Sequence, residues 1–123
     1  SQAKTFAEPP AGKAGLYIYR NSTLGGALKK DVRVNGKCIG ETAPNMFFYE
    51  VVNSGEEQTL STESEFSPND LKIKTESGKN YFIRQYIKLG VFVGGAGLEQ
   101  VSDTQGKADI SSLSMAIQGK CNS

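Results

Sequence analysis

An all-β fold follows from three features of this 123-residue sequence. Runs of about five to ten residues, rich in Val, Ile, Tyr, Phe and Thr, alternate apolar with polar side chains. Gly, Asn, Ser and Pro separate those runs, and only the last segment carries a helical period. About seven or eight such strands and one short helix predict a single β-sandwich, mainly antiparallel, over residues 14–123.

The segment before it, SQAKTFAEPPAGK, contains Pro9, Pro10 and Gly12 among small polar residues, so residues 1–13 are expected to form a flexible tether. GLYIYR, Gly15 to Arg20, is apolar on both faces, as a strand between two packed layers must be. NSTLGGALK, residues 21–29, reads as a loop. KDVRVNGKCIGET is a hairpin: Val32 and Val34 alternate with charge, Asn35-Gly36 supplies the two positive-φ positions of a type I′ turn, and Ile39 resumes the apolar face.

NMFFYEVV and EEQTLSTES follow, joined by Asn53-Ser54-Gly55, and sequential strands are expected to pair as neighbours. LKIKTES places Leu71, Ile73 and Thr75 on one face and Lys72, Lys74 and Glu76 on the other. Past the turn Ser77-Gly78-Lys79, NYFIRQYIKLG sets Tyr81, Ile83, Gln85, Ile87 and Leu89 against Phe82, Arg84, Tyr86 and Lys88. Residues Gly90 to Val101 continue as one bent strand or two short ones. In the tail, Ile110, Leu113 and Ile117 fall at helical spacing, with Asp109 near the expected start.

Composition narrows function by exclusion. Fourteen basic and 13 acidic side chains leave a net charge of +1, too weak a field to recruit nucleic acid. The chain has no histidine, which removes Ser-His and Cys-His nucleophiles and the ordinary zinc site. The glycine-rich stretch Gly90–Val101 lacks the Lys-Ser/Thr of a P-loop and the helix of a dinucleotide turn, and Glu99 sits where a phosphate would lie. It reads as a bend in a strand. Glu56, Glu57, Glu63, Glu65 and Asp31 fall on apparent turns and sheet surfaces, and Ser67-Pro68-Asn69-Asp70 and Asp103-Thr104 are too sparse for a calcium loop. No catalytic, cofactor-binding or metal residue is therefore assigned, and no cofactor is expected.

Cys38 and Cys121 are two inert thiols or one disulfide. The even count, the small domain and the position of Cys121 close to the C-terminus favour the bridge, hence an oxidising compartment. One surface candidate stands out, in which Tyr17, Tyr19 and Arg20 join Phe82, Arg84, Tyr86 and Lys88 as an aromatic and basic set suited to stacking and charge-assisted hydrogen bonds. The competing account is a second packed face whose long side chains snorkel to water.

AGLYIYR, VNGK leading into IGE, SGKNYF, and QYIKLGVFVGG followed by LEQVS, in that order, resemble a family of small Gram-negative envelope lipoproteins classed as a domain of unknown function, similar in style to PEGA-type β-sandwich modules. The resemblance covers roughly residues 14–101. It implies a secreted precursor, a lipid-modified cysteine ahead of this chain, and tethering to a membrane through that anchor alone. Ser54-Gly55 departs from the Pro-Gly often found there, and the resemblance brings no catalytic residue. The combined expectation is a non-catalytic periplasmic or surface module, binding or structural, whose partner is an envelope protein or cell-wall component. The alternative is an inhibitor or immunity-type protein that blocks an envelope enzyme or receptor.

Overall fold

The structure, a computed structural model, describes residues 6–21, 30–62, 69–88, 95–116 and 119. Its elements follow the punctuation of the sequence. Strand β1, Lys13–Arg20, is buried from Ala14 onward on both faces. It lies at the centre of a five-stranded sheet, antiparallel to β4 (Met46–Asn53) and parallel to β7 (Asn80–Lys88). Beyond β7 runs β8, Gly95–Val101, antiparallel to it; beyond β4 lies the two-residue β9, Ser114–Met115. The second sheet is antiparallel throughout, in the order β3-β2-β5-β6, built from β2 (Lys30–Val34), β3 (Lys37–Thr42), β5 (Glu57–Thr62) and β6 (Asn69–Lys74).

Leu16, Ile18, Phe48 and Ile83 from the first sheet meet Val32, Val34, Ile39, Leu60 and Ile73 from the second, and this layer is the sandwich core. Each such side chain contributes about 1.5–3 kcal/mol on burial. The expected all-β sandwich with a short C-terminal helix is what the chain forms.

The β2–β3 hairpin turns at Asn35 and Gly36, with φ of 52° and 83°, as the type I′ reading requires. The Asn35 side chain bonds across the sheet as well: Nδ2 donates to Gln58 Oε1 at 2.6 Å and Oδ1 accepts from the Thr59 amide at 2.8 Å. Gln58 is buried and donates in turn to the Asn53 carbonyl at 2.8 Å, so this end of the sandwich is closed by hydrogen bonds rather than by apolar contact.

Pairing shifts register between Val32 and Arg33, which makes Ile39 the extra residue of a bulge. Next to it, Gly40 adopts φ of 149° and leaves room for the Phe48 ring, 2.9 Å from where a Cβ would stand. That clearance brings the edge of β3 against β4.

Two local expectations are corrected. β4 and β5 do not pair with each other but lie in different sheets. Around Ser54 to Glu56 the chain crosses over, held by Gly55 N to Thr75 O and Thr75 N to Glu56 O, because the buried side chains of the two strands belong to opposite walls of one core. Residues 6–13 also depart from the expected tether. From Phe6 the segment packs on the body, with Pro9 buried and Gly12 N donating to Ser77 Oγ at 2.8 Å. An aromatic ring and a proline find apolar surface that the tether's polar composition conceals.

The helix α1 spans Asp103–Ile110, earlier than the apolar spacing suggests. Ser102 caps it, its hydroxyl accepting from the Gln105 amide at 3.1 Å. Ile110 then ends the helix and Leu113 follows in a turn, yet both are buried in one layer, so the spacing recorded a shared face rather than a continuous helix. Ile117 lies outside the described residues, as do residues 22–29 of the expected loop 21–29 and the first part of the glycine-rich stretch. Gly95, Gly97, Leu98 and Glu99 do lie in a strand, and no helix of the described residues is long and apolar enough to cross a membrane.

α1 covers the outer face of the five-stranded sheet, and Gly106 is where it touches. A Cβ there would stand 2.3 Å from Phe82 Cγ. On an exposed helix, Gly to Ala adds about 1 kcal/mol of stability. At this contact we expect Gly106→Ala to remove about 1–3 kcal/mol by overpacking, read as a lowered urea midpoint. An unchanged or raised midpoint would contradict the close seating of α1 on β7.

Candidate functional site

Strand alternation sends Tyr17 and Tyr19 of β1, Phe47 of β4 and Phe82 of β7 to the outer face of the sheet. α1 and the N-terminal segment cover them, contributing Ile110, Leu113 and Phe6. Tyr17 stacks on Phe82 at 5.1 Å between centroids and tilts against Tyr49 at 4.6 Å. Pairs of this geometry contribute about 0.5–1.5 kcal/mol beyond area burial. The Tyr19 hydroxyl donates to Asp109 Oδ2, whose other oxygen accepts from Gln105 Nε2 at 2.8 Å. That contact fixes the helix to the sheet at its C-terminal end.

The aromatic and basic set read from the sequence is therefore divided among three environments. Tyr17, Tyr19 and Phe82 are at most 2% exposed, packed under the helix. Arg20 points the other way, into the sandwich, by the same alternation that buries Leu16 and Ile18. Arg84 and Tyr86 remain half-buried at the rim: Arg84 Nε pairs with Glu99 Oε1 at 2.8 Å across β7–β8 and its guanidinium lies 5.7 Å from the Tyr86 ring centroid. Tyr86 lies over Gly97, where a Cβ would come within 2.4 Å of its ring. The Lys88 side chain is outside the described residues.

Arg20 belongs to a buried polar layer that sequence reading missed. Its Nη1 donates to the Thr42 carbonyl at 3.2 Å; Thr42 Oγ1 bonds Gln85 Oε1; Gln85 Nε2 donates to Thr62 Oγ1 at 2.8 Å; Thr62 Oγ1 donates to the Asp31 carbonyl at 2.7 Å. Burial lowers the pKa of the Arg20 guanidinium from its ordinary value. The available signal was that Arg20, Thr42, Thr62 and Gln85 all occupy inward positions of their strands, a coincidence visible only once the strands are aligned.

Of the other candidates, Glu56 and Glu57 are exposed, Glu63 and Glu65 lie outside the described residues, and Asp31 faces Arg33 at 3.5 Å. Ser67 and Pro68 are likewise outside, and Asp103 opens α1. Among the described residues no group of three or more His, Cys, Asp and Glu is placed to hold a metal. Cys121 is outside the description. Cys38 Sγ lies 3.8 Å from the Gly119 carbonyl oxygen.

An open groove of about 500 Å³ runs beside the aromatic layer, between the N-terminal segment, the start of β7 and the first turn of α1. Its lining carries both signs of charge, with Glu8, Glu76 and Asp103 among Lys79 and Lys107. Lys79 Nζ bonds Glu76 Oε2 at 3.0 Å, which raises the lysine pKa. With both signs on its lining, such a groove offers no unbalanced field for an anion or a cation.

The phenols of the aromatic layer resist ionisation. Burial pushes Tyr17 up to about 12, helped by the neighbouring Tyr49, and burial also raises Tyr49. Tyr19 is raised by burial and then by its hydrogen bond to Asp109. A raised phenol favours the neutral form in the fold, so its stabilisation is whole below the ordinary value of 10.0 and is lost as pH climbs from there to about 12. We expect the melting temperature to fall steeply across that window and phenolate absorbance to appear together with unfolding. Tyr17→Phe should flatten the fall; ionisation of Tyr17 near 10 in the folded protein would contradict the packing described.

Comparison with known proteins matches this sequence to a family model. The family model described as a protein of unknown function, DUF2846, matches residues 10–96, from the end of the N-terminal segment to the start of β8. A Haemophilus influenzae protein, described as an uncharacterized protein, is 63% identical over 115 residues, which span 94% of this chain and 68% of that relative. No solved structure matches significantly. With most of the sandwich inside the matched region and a relative this similar over nearly the whole of the chain, the chain belongs to the DUF2846 family.

Proposed function

We propose that this domain is a non-catalytic module of the bacterial cell envelope, held at the periplasm or cell surface by a lipid anchor and stapled by a Cys38–Cys121 disulfide, that binds an envelope protein or a cell-wall component. The observation that carries this reading is the path of the tail. After β9 pairs with β4, the Ala116 amide donates to the Phe47 carbonyl at 2.8 Å and the Gly119 amide donates to the Ile39 carbonyl at 2.8 Å. Ala116 thus lies against β4 of one sheet and Gly119 against the edge strand β3 of the other, beside Cys38 and two residues before Cys121. A bridge at that point locks both sheet edges together, and structural bridges of this kind persist where thiols are oxidised.

Two further observations support a binding rather than a chemical role. The buried polar groups at both ends of the sandwich hydrogen-bond to one another and to main chain, as groups with a structural task do. At the rim, Arg84 and Tyr86 hold a guanidinium and a ring in fixed relation on a half-exposed surface, a pairing that suits a sugar or a protein partner.

Protein isolated from the envelope should run two hydrogens lighter by intact mass than the reduced chain. Closing a loop of about 80 residues stabilises by about 4.5 kcal/mol in the chain-entropy model, so reduction should move the denaturation midpoint by a comparable amount. Metabolic labelling with palmitate should mark the whole precursor. Two freely alkylated thiols in protein from native membranes, or a precursor recovered wholly from the cytosol, would sink the proposal.

A further inference from the structure

The N-terminal segment meets the body in an unusual way. The Phe6 ring enters the aromatic layer from the side, 5.4 Å from Tyr17 at 59° and 5.8 Å from Phe82 at 64°, with Lys107 Nζ 5.8 Å from its centroid. Its main chain is read by one side chain: Asn80 Nδ2 donates to the Phe6 carbonyl at 3.2 Å and to the Ala7 carbonyl at 3.1 Å. Asn80 Oδ1 is buried without a hydrogen-bond partner among the described residues, directed at Gly15, where a Cβ would stand 2.2 Å away. Both donors of the amide are thus turned toward the segment.

Phe6 itself differs from the core residues around it. Its φ is 54°, a left-handed conformation that costs a bulky residue free energy. It is only half-buried, and its ring forms one wall of the groove lined by Glu8, Lys79, Gln100 and Asp103. Two carbonyls held by one amide, a ring caged between two aromatics and an ammonium, and an open groove alongside are the contacts of a bound peptide.

We propose that Tyr17, Phe82, Asn80 and Lys107 form a recognition site for an extended partner segment bearing an aromatic side chain, and that Phe6 fills this site in cis until such a segment displaces it. Recognition divides into two parts. Asn80 reads main chain and is indifferent to sequence, whereas the cage selects a ring. The mixed charge of the groove admits a partner carrying both signs next to that ring. Phe6 is tied to the body by only the residues up to Lys13, so its effective concentration is of order millimolar, and backbone strain weakens its hold. A partner segment without that strain competes at moderate affinity. The inference rests on the cage and the clamp alone and holds whichever compartment the protein occupies.

The chain has no tryptophan, so Phe6→Trp in the whole chain places a single reporter in the cage. Adding the peptide TFAEPPAGK should shift the indole emission of this variant to the red in a saturable way, as the reporter is displaced into water, and the same peptide with Ala in place of Phe should not. A fluorescent copy of the peptide should bind the Phe6→Ala chain at least tenfold more tightly than wild type, and adding Asn80→Ala should weaken that binding about five- to tenfold. Circular dichroism confirms that the variants fold. The proposal is overturned by no shift at millimolar peptide, by an equal shift with the Ala peptide, by equal binding to wild type and Phe6→Ala, or by loss of folding in both Phe6 variants, which would make Phe6 an ordinary core residue. Wild-type dimers that hold the ring of a second copy would also overturn it.

Discussion

Burial of β1 on both faces is the constraint on which the rest of the molecule depends. Leu16 and Ile18 supply the inner core while Tyr17 and Tyr19 supply the outer layer, from consecutive positions of one strand. A strand that is greasy on both sides cannot sit at the edge of a two-layer sandwich with water behind it. It therefore takes the middle of its sheet, between β4 and β7, and requires a third layer over its outer face. α1 and the segment around Phe6 are that layer.

Polar groups close what the apolar layers leave open. At the end of the sandwich near the hairpin turn, Asn35, Gln58 and Thr75 bond one another and the crossover main chain. Near the opposite end Arg20, Thr42, Gln85 and Thr62 do the same. Buried polar side chains cost free energy unless each finds a partner, and linked networks of this kind specify one arrangement of strands over its competitors. The tail closes the β3–β4 edge, where Gly40 lets the two sheets approach. A bridge at Cys38 acts on that same edge, so the proposed staple and the observed strap are one device.

The three-layer arrangement also bears on how the domain meets a partner. The outer aromatic layer is closed by a helix fixed through Tyr19 and Asp109 and by a segment clamped through Asn80. These two covers differ in kind. The helix is capped and seated at Gly106 without space to spare, whereas the segment is strained and half-exposed. In the proposed exchange the segment would leave and expose ring surface while the sandwich stays intact, which would separate recognition from stability. A binding module gains from that separation because its fold does not have to loosen for its surface to change.

By itself the sequence determined the strands from β1 to β8, though not β9, together with the hairpin turn and the faces of β1, β6 and β7, because alternation and positive-φ turns are local consequences of backbone geometry. Asn35-Gly36 needs no distant partner to be legible, and neither does the run from Leu71 to Thr75. Only the tertiary structure decided that β4 and β5 part company, that α1 begins just past Ser102 rather than near Asp109, that Arg20 turns inward among Thr42 and Gln85, and that Phe6 folds back onto Tyr17 and Phe82. Each of these is settled by a contact between residues far apart in the chain. The free energy of such a contact depends on which surface is left uncovered elsewhere, and no local pattern of side chains records that.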